Sequence, residues 1–185
     1  MTYIAPDNQF HVIAGQGTCT KELIEEVGEL DFLFVAIGGG GLIAGCSLAA
    51  KALSPKCRVI GVESQASNNV ALSLAAGQPV SLEESPKTIA DGAAARHTGD
   101  VSFEIIKDNV EQVVLVTDEE LLEEMKFAGE RLKLIVEPAG VLGLAGLRKF
   151  ANSGEMPDGS RVGVIVCGGN IDMMKYCKYI TEGIS

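Results

Sequence analysis

Four consecutive glycines, Gly38 to Gly41, separate a segment typical of a buried strand from one typical of a helix. The apolar run at 32–37 is long enough for one strand, and residues 42–53 have helical character. A strand that turns through glycines into a helix leaves backbone N–H groups unpaired at the positive end of the helix dipole. Glycine also allows positive φ angles and a close approach of a ligand. The pattern predicts a phosphate-binding loop, and the alternative is a tight turn that binds nothing.

A second glycine-rich turn follows the apolar run at 162–166 and carries a thiol, in the order Cys167-Gly168-Gly169-Asn170. Taken alone, this turn is best interpreted as a small buried cysteine followed by an ordinary helix cap at Asn170. Ligands of parallel sheets gather at the carboxyl ends of the strands. We therefore expect the two glycine turns to lie at one edge of the sheet.

Short apolar runs alternate with helical segments along the whole chain, which predicts βα units in a single domain over residues 1–185. Strands are predicted at 12–14, 32–37, 58–63, 113–116 and 162–166. Helices are predicted at 18–27, 42–53, 67–76, 117–132 and 139–151, and after Asn170. The fold class is α/β, with a mostly parallel sheet covered by helices on both faces. The segment 83–99 lacks periodicity, and loops of this length are often functional.

The composition excludes several classes of partner and location. A net charge of −10 argues against nucleic acid, since phosphates would be repelled overall, so any phosphate site must be local. The apolar stretches are too short for a membrane span, and residues 1–7 have no basic region or apolar core typical of a signal peptide. The five cysteines lack zinc-site spacing and are odd in number, which favours reduced thiols in a cytoplasmic protein.

Six motifs occur in a fixed order, and together they are more specific than any one of them. They lie at 12–18, 38–41, 61–63, 88–92, 137–140 and 167–170. Their order resembles the threonine/serine dehydratase and serine racemase group of pyridoxal-phosphate enzymes of fold type II, related to tryptophan synthase β. The resemblance extends from Tyr3 to the last helix. It covers only the C-terminal half of such an enzyme, within the large cofactor-binding domain.

The resemblance assigns roles around the cofactor, pyridoxal 5'-phosphate. The phosphate-holding residues are Gly38, Gly39, Gly40, Gly41 and Leu42. Cys167 occupies the position that faces the pyridine nitrogen, where a weak neutral donor would leave the ring unprotonated. Gly92 would lie beside the cofactor ring.

The resemblance also implies a site for Mg²⁺ or Ca²⁺, formed by Glu63, the backbone carbonyl of Ser67 and the side chain of Asn69. Some relatives have Asp at the position of Asn69. The missing carboxylate should weaken binding, because these cations prefer hard charged oxygens. The alternative is that Glu63 merely ends a strand and Asn69 begins a helix.

The largest departure from the family is the absence of an S-x-K-x-R-G-type motif, whose lysine holds the cofactor as a Schiff base. The S-x-N-H-type loop that grips the substrate carboxylate is also missing. The resemblance implies elimination of water from a β-hydroxy amino acid to give a 2-oxo acid and ammonia. Without that lysine, no catalytic residue is assigned, and this chain alone is expected to be inactive.

Several interpretations remain open from the sequence. The chain is a fragment or split piece of a dehydratase that needs its missing N-terminal half, or a non-catalytic domain that binds phosphate or metal. A racemase cannot be distinguished from a dehydratase by these residues. The third alternative is an unrelated α/β nucleotide binder, although the glycine run differs from G-x-G-x-x-G. A homodimer is expected from the family.

Overall fold

The computed structural model describes residues 4–184, which form a parallel four-stranded sheet covered by helices. The strands are β1 (Phe32–Ala36), β2 (Arg58–Ser64), β3 (Gln112–Val116) and β4 (Val162–Val164), in the spatial order β3-β2-β1-β4. The helices are α1 (Phe10–Gln16), α2 (Thr18–Val27), α3 (Gly41–Leu53), α4 (Asn69–Ala76), α5 (Asp100–Asn109), α6 (Asp118–Phe127), α7 (Leu142–Asn152) and α8 (Met173–Glu182). Short 3₁₀ turns lie at Gln65–Ser67, Asp91–Ala93 and Pro138–Val141, and a π-helical turn extends α6 over Ala128–Leu132.

Alternate residues of β1 point to opposite faces of the sheet, which gives the molecule two apolar layers. Phe32 and Phe34 join the layer that contains Phe150 of α7. Leu33 and Val35 join the layer on the other side, formed largely with the helices α1, α2, α3 and α5. Every residue of β1 is buried, as expected for a parallel strand covered on both faces. The predicted α/β class with helices on both faces is confirmed.

The local signals at several helix ends are also confirmed. Thr117-Asp118-Glu119-Glu120 has the T-x-x-E form that predicts a capping box. The Thr117 hydroxyl accepts the Glu120 N–H and the Glu120 carboxylate accepts the Thr117 N–H, so the box is formed. Gly77 ends α4 with φ of 70°, a conformation that glycine adopts without strain. The glycine run leads from β1 into α3, as predicted.

The predicted strand at 12–14 is wrong, because these residues belong to α1. A three-residue apolar run cannot distinguish a strand from a helix, and tertiary packing decides the outcome. Here the backbone of α1 and of the α1–α2 junction at Gly17 packs directly against α3 at Gly45. A Cβ on Gly45 would collide with the carbonyl oxygen of Ile13. Thr18 begins α2 rather than capping it, and its hydroxyl donates to the carbonyl of Gly15.

Other boundaries differ by smaller amounts. The strand predicted at 162–166 ends at Val164, and the helix after Pro138 begins with a 3₁₀ turn. Asn170 does not cap the last helix, because Asp172 accepts the N–H groups of Met174 and Lys175. The sequence analysis missed α5, whose buried Phe103 and Ile106 are one helical turn apart.

No helix within residues 4–184 is both long and apolar enough to cross a membrane. The expectation about a signal peptide and the start of the family resemblance fall partly on residues 1–3, which lie outside the described residues.

Candidate functional site

A cavity of about 390 Å³ opens at the carboxyl ends of the neighbouring strands β1 and β4. The seven residues to which the resemblance assigns cofactor binding all line this cavity: Gly38, Gly39, Gly40, Gly41, Leu42, Gly92 and Cys167. The two glycine turns therefore meet at one edge of the sheet, where parallel strands present ligand sites. Other lining residues come from the N-terminal segment, from 91–95 and from the start of the Pro138–Val141 turn.

The glycine loop has the geometry of an anion site. Gly40 has φ of 98°, and its carbonyl accepts the first hydrogen bond of α3. Among the described residues, the N–H groups of 38–41 form no hydrogen bond with protein, and they lie at the positive end of a 13-residue helix. An oxyanion is the ligand that such a helix start favours.

Side chains are excluded from this loop by its neighbours. A Cβ on Gly38 would lie 3.1 Å from the Cα of Ala93, and one on Gly40 would lie 2.6 Å from the Thr98 hydroxyl oxygen. At Gly39 a Cβ would collide with the Asp7 carboxylate. A side chain at Gly38 or Gly39 would therefore need Ala93 or Asp7 to shift, and one at Gly40 would also be strained by the positive φ.

Hydrogen bonds to segments distant in the sequence hold the glycine loop in place. The Gly39 carbonyl accepts the Thr98 hydroxyl at 2.9 Å and the Gly99 N–H at 3.3 Å. The segment 83–99, which the sequence left as an irregular loop, thus forms part of the support and, through 91–95, part of the cavity wall. Asp118 at the start of α6 holds that segment by accepting the Thr88 hydroxyl and the Ile89 N–H.

Cys167 is half-buried at the end of the extended segment that follows β4. Burial, and then the charge of Glu137, raise the pKa of its thiol, so the group stays protonated at neutral pH. Gly168 follows with φ of 83°, and the Cys167 N–H donates to the carbonyl of Gly140 at 3.3 Å. A Cβ at Gly140 would collide with the Cys167 carbonyl oxygen, so this turn also depends on a glycine.

Glu137 is a cavity residue to which the sequence analysis assigned no role. One carboxylate oxygen accepts the Asn170 N–H at 2.8 Å. The other would lie 2.9 Å from a Cβ built on Gly92, and both Gly92 and Gly168 leave space for it. The sequence did contain a signal, because Glu137 opens the motif at 137–140. Only the fold, however, places its carboxylate between Gly92 and Gly168. Asp7 and Gln16 also line the cavity. Asp7 belonged to no motif, and Gln16 lies in the motif at 12–18, to which no role was assigned.

The residues of the candidate cation site do not line this cavity and lie behind its wall at 91–95, at the end of β2 and the start of α4. Glu63 is fully buried, and its carboxylate accepts the Val70 and Ala71 N–H groups at 2.9 Å each. The Asn69 amide nitrogen donates to the Ala95 carbonyl at 2.9 Å, whereas its oxygen is buried without a hydrogen-bond partner among the described residues. An unpaired buried oxygen beside a carboxylate fits a hard cation.

Other metal sites are not indicated. Within residues 4–184, no cluster of three or more His, Cys, Asp or Glu side chains is arranged to hold a metal ion.

Burial gives Glu63 a measurable effect on stability when no cation is bound. Desolvation raises its pKa from 4.5 to about 7, although the two backbone N–H groups partly oppose the shift. Below about pH 4.5 the Glu63 carboxyl is protonated in both the folded protein and the unfolded chain. Between about pH 4.5 and about pH 7 the folded protein keeps a proton that the unfolded chain has released, so stability falls as pH rises. We expect a total loss of roughly 3 kcal/mol, constant above this window.

The measurement is urea unfolding in EDTA at about pH 5 and about pH 8, which bracket most of the window. Glu63→Gln is the matched variant, because it keeps the shape and cannot ionise. The difference between wild type and variant should change across the window, and equal pH slopes in both proteins would contradict the assignment.

None of the residues that line the main cavity is a lysine. Lys21, Lys51, Lys87 and Lys133, which the sequence places outside any cofactor motif, are all at least partly exposed to solvent. The cavity thus offers unpaired N–H groups, a neutral thiol and a carboxylate. Among residues 4–184, no residue that lines it carries an amine that could bond covalently to a carbonyl compound.

Comparison with known proteins gives the same relationship over nearly the whole chain. The family model described as pyridoxal-phosphate dependent enzyme matches residues 1–168. Serine racemase of Schizosaccharomyces pombe is 45% identical over 182 residues, which are 98% of this chain and 55% of that protein. L-threo-3-hydroxyaspartate ammonia-lyase of Saccharomyces cerevisiae is 48% identical over 180 residues, which are 96% of this chain and 53% of that protein.

Structural comparison agrees with the sequence relatives. The structure of maize serine racemase superposes with a TM-score of 0.88 at 40% identity, over 96% of this chain and 54% of that one. The predicted resemblance in sequence and in fold is thereby confirmed. The chain spans about half the length of the curated relatives it matches.

Proposed function

The chain belongs to the pyridoxal-phosphate dependent enzyme family, and on that premise we propose that it is the phosphate-holding part of an ammonia-lyase. The reaction proposed is the elimination of water from a β-hydroxy amino acid, giving a 2-oxo acid and ammonia. Residues 1–185 would correspond to the C-terminal part of the large domain, and the cofactor-bearing lysine would come from another segment. The names of the two curated relatives quoted above support a small amino acid as substrate.

The observation that carries this proposal is the unpaired glycine loop at the start of α3. Its free N–H groups would bind the cofactor phosphate, and the lack of side chains would let the phosphate approach the backbone. When bound, pyridoxal phosphate supplies an electron sink that stabilises negative charge on the substrate α-carbon. The remaining roles fall to side chains of the cavity wall.

Cys167 and Gly92 would position the cofactor ring in different ways. The Cys167 thiol stays protonated and is a weak donor, so it would orient the ring nitrogen without transferring a proton to it. Gly92 would leave room for the ring, since any side chain there would be driven towards Glu137. Glu137 would hold the wall together through its hydrogen bond to the Asn170 N–H.

A partner segment is supported by the surface of the molecule as well as by the missing lysine. A groove between α1 and α3 is lined almost entirely by apolar atoms, including Ile13, Leu48 and Leu53. Leu48 and Leu53 are 41% and 39% exposed. Contiguous exposed apolar surface is typical of a packing interface. A homodimer and a cytoplasmic location remain predictions from the resemblance and the cysteine content.

The decisive test is co-expression of this chain with the segment encoded immediately upstream. The N-terminal portion of the 48% identical yeast relative serves as a second complement. The purified pair is assayed for 2-oxo acid from L-threonine, L-serine and L-threo-3-hydroxyaspartate, and for visible absorbance from lysine-bound cofactor. Each segment expressed alone is the control.

The outcomes separate the candidate functions. A 2-oxo acid formed only by the pair supports the lyase. D-serine formed from L-serine without a 2-oxo acid would replace it with a racemase. Binding of pyridoxal phosphate by this chain, with neither activity in any pair, would indicate a non-catalytic binding domain. The absence of both cofactor binding and activity would refute the proposal.

We also propose that Glu63, the Ser67 carbonyl and Asn69 hold Mg²⁺ or Ca²⁺, with the unpaired Asn69 oxygen as the supporting observation. The cation would have a structural role and neutralise the buried Glu63 carboxylate. Asn69→Asp adds a second carboxylate and should tighten binding on the order of tenfold, or about 1.4 kcal/mol. The measurement is the shift in melting temperature on adding each cation to EDTA-treated protein.

Glu63→Gln is the control, because it removes the charge that the cation neutralises. The wild type should be stabilised by added cation, Asn69→Asp more strongly and Glu63→Gln not at all. Equal shifts in all three proteins would show that the cations act elsewhere.

A further inference from the structure

Two cysteines that play no part in the proposed cofactor site lie in contact with each other. The Sγ atoms of Cys19, in the first turn of α2, and Cys46, in α3, are 3.6 Å apart. Among the described residues, no other two sulphur atoms of the five cysteines form such a contact. The pair is held by the close crossing of the helices at Gly17 and Gly45, where backbone meets backbone.

The surroundings of the pair differ for its two members. Cys46 is fully buried, whereas Cys19 is only partly buried and can be reached from solvent. The Cys19 thiol donates to the Gln16 carbonyl at 3.1 Å, and Cys46 approaches the same oxygen at 3.8 Å. The hydroxyl of Thr20 is fully buried beside the pair and has no hydrogen-bond partner within residues 4–184. A thiolate at this place would give that hydroxyl an acceptor.

The electrostatics separate the roles of the two thiols. The hydrogen bond from Cys46 lowers the pKa of Cys19 to about 6, against the opposing effect of its burial. The same contact, together with deeper burial, raises the pKa of Cys46. Cys19, which is also the more accessible of the two, is thus the thiol that ionises more readily, and thiolates are the nucleophilic form of cysteine.

We propose that Cys19 and Cys46 are a reversible oxidation site that reacts with hydrogen peroxide. The Cys19 thiolate attacks the peroxide oxygen, which breaks the O–O bond. With a proton from solvent, this step gives Cys19 sulfenic acid and water. The Cys46 thiol then displaces hydroxide from the Cys19 sulphur, giving a disulfide and a second water. The peroxide is reduced by two electrons and the two thiols are oxidised by two. An external dithiol reverses the change by thiol–disulfide exchange.

The geometry makes the disulfide accessible without moving the fold far. The sulphur atoms must approach from 3.6 Å to about 2.05 Å, a change within the reach of side-chain rotation on two packed helices. The bond would join α2 to the helix that begins at the glycine loop. It would also remove both thiol donors from the carbonyl of Gln16, a residue that lines the cavity.

The test uses the full chain with Cys177→Ser, because Cys177 is exposed and would form intermolecular disulfides. Treatment with hydrogen peroxide should reduce the alkylatable thiols from four to two and lower the mass by about 2 Da, because two hydrogens are lost. Dithiothreitol should restore both values. Peptide mapping should join the Cys19 and Cys46 peptides, and the melting temperature of the oxidised protein should rise.

Matched variants make the result specific. Cys46→Ser should leave Cys19 as a sulfenic acid that dimedone labels, whereas Cys19→Ser should leave Cys46 reduced. If Cys46→Ser does not fold, Cys46→Ala serves the same purpose. Cys57→Ser should still form the disulfide, because Cys57 contacts no other thiol among the described residues. Retention of all four thiols, or a disulfide between other cysteines, would overturn the proposal. The test needs no cofactor, so its outcome is independent of the proposed function.

Discussion

Gly40→Asp is expected to weaken the binding of pyridoxal phosphate by about 100-fold or more, which corresponds to at least about 2.7 kcal/mol. Two effects combine at this position. A Cβ on Gly40 would lie 2.6 Å from the Thr98 hydroxyl and 2.9 Å from the Ile106 side chain, at a φ of 98° that other residues rarely adopt. The new carboxylate would also stand among the N–H groups that we expect to bind the phosphate, where like charges repel. Equilibrium titration measured by absorbance gives the affinity.

Gly154→Asp is the matched control for that result. It adds the same carboxylate at a glycine with φ of 81° that has no atom within 4 Å of its Cβ position, in the turn after α7. Its affinity should equal that of the wild type. Gly40→Ala separates the steric effect from the charge, and circular dichroism establishes that each variant is folded. Wild-type affinity in folded Gly40→Asp would mean that the phosphate binds elsewhere.

Phe34→Ala is expected to lower the free energy of unfolding by about 3–5 kcal/mol. Phe34 is fully buried at the centre of β1, with its ring centroid 5.6 Å from that of Phe150 and 6.4 Å from that of Phe32. Removing the ring leaves a cavity between the sheet and α7, and a buried strand cannot move to fill it. Urea unfolding followed by circular dichroism measures the loss.

Phe10→Ala provides the comparison, because Phe10 is 67% exposed on α1. It should change the free energy of unfolding by no more than about 0.5 kcal/mol. Similar losses in the two variants would show that β1 does not form the centre of the core.

The sequence predicted β1 and β2 well because these two strands are buried on both faces. Such strands have nearly continuous apolar runs, as at 32–37 and 59–62, and their ends are marked by glycine or charge. The helical segments at 12–14 and 100–109 were harder to predict, for different reasons. The first is too short to show a period, and its helix depends on a contact with Gly45, which is distant in the sequence. The second has few apolar residues, and its buried side depends on α3.

The sequence predicted those parts of the candidate site that are formed by the backbone. Glycine runs at strand ends have a direct physical meaning, so the loop at 38–41 and the turn at Cys167 could be placed at one edge of the sheet. Side chains that connect the opposite sides of the cavity have no such local sequence pattern. Glu137 is important because Gly92 and Gly168 leave space for its carboxylate, and this arrangement exists only in three dimensions. The sulphur contact between Cys19 and Cys46 is of the same kind.

The pairing of β1 with β4 has a consequence for the order of events during synthesis. These neighbours join the early and late parts of the chain, and the Arg161 N–H reaches the Asp31 carboxylate across 130 residues. Contacts of such long range form slowly, and a growing chain cannot make them until β4 has emerged from the ribosome. A nascent chain that extends only to β3 has the glycine loop but lacks the wall that contains Cys167. Cofactor capture should therefore wait until β4 and Cys167 have been synthesised, and chains truncated before β4 should lack the complete cavity.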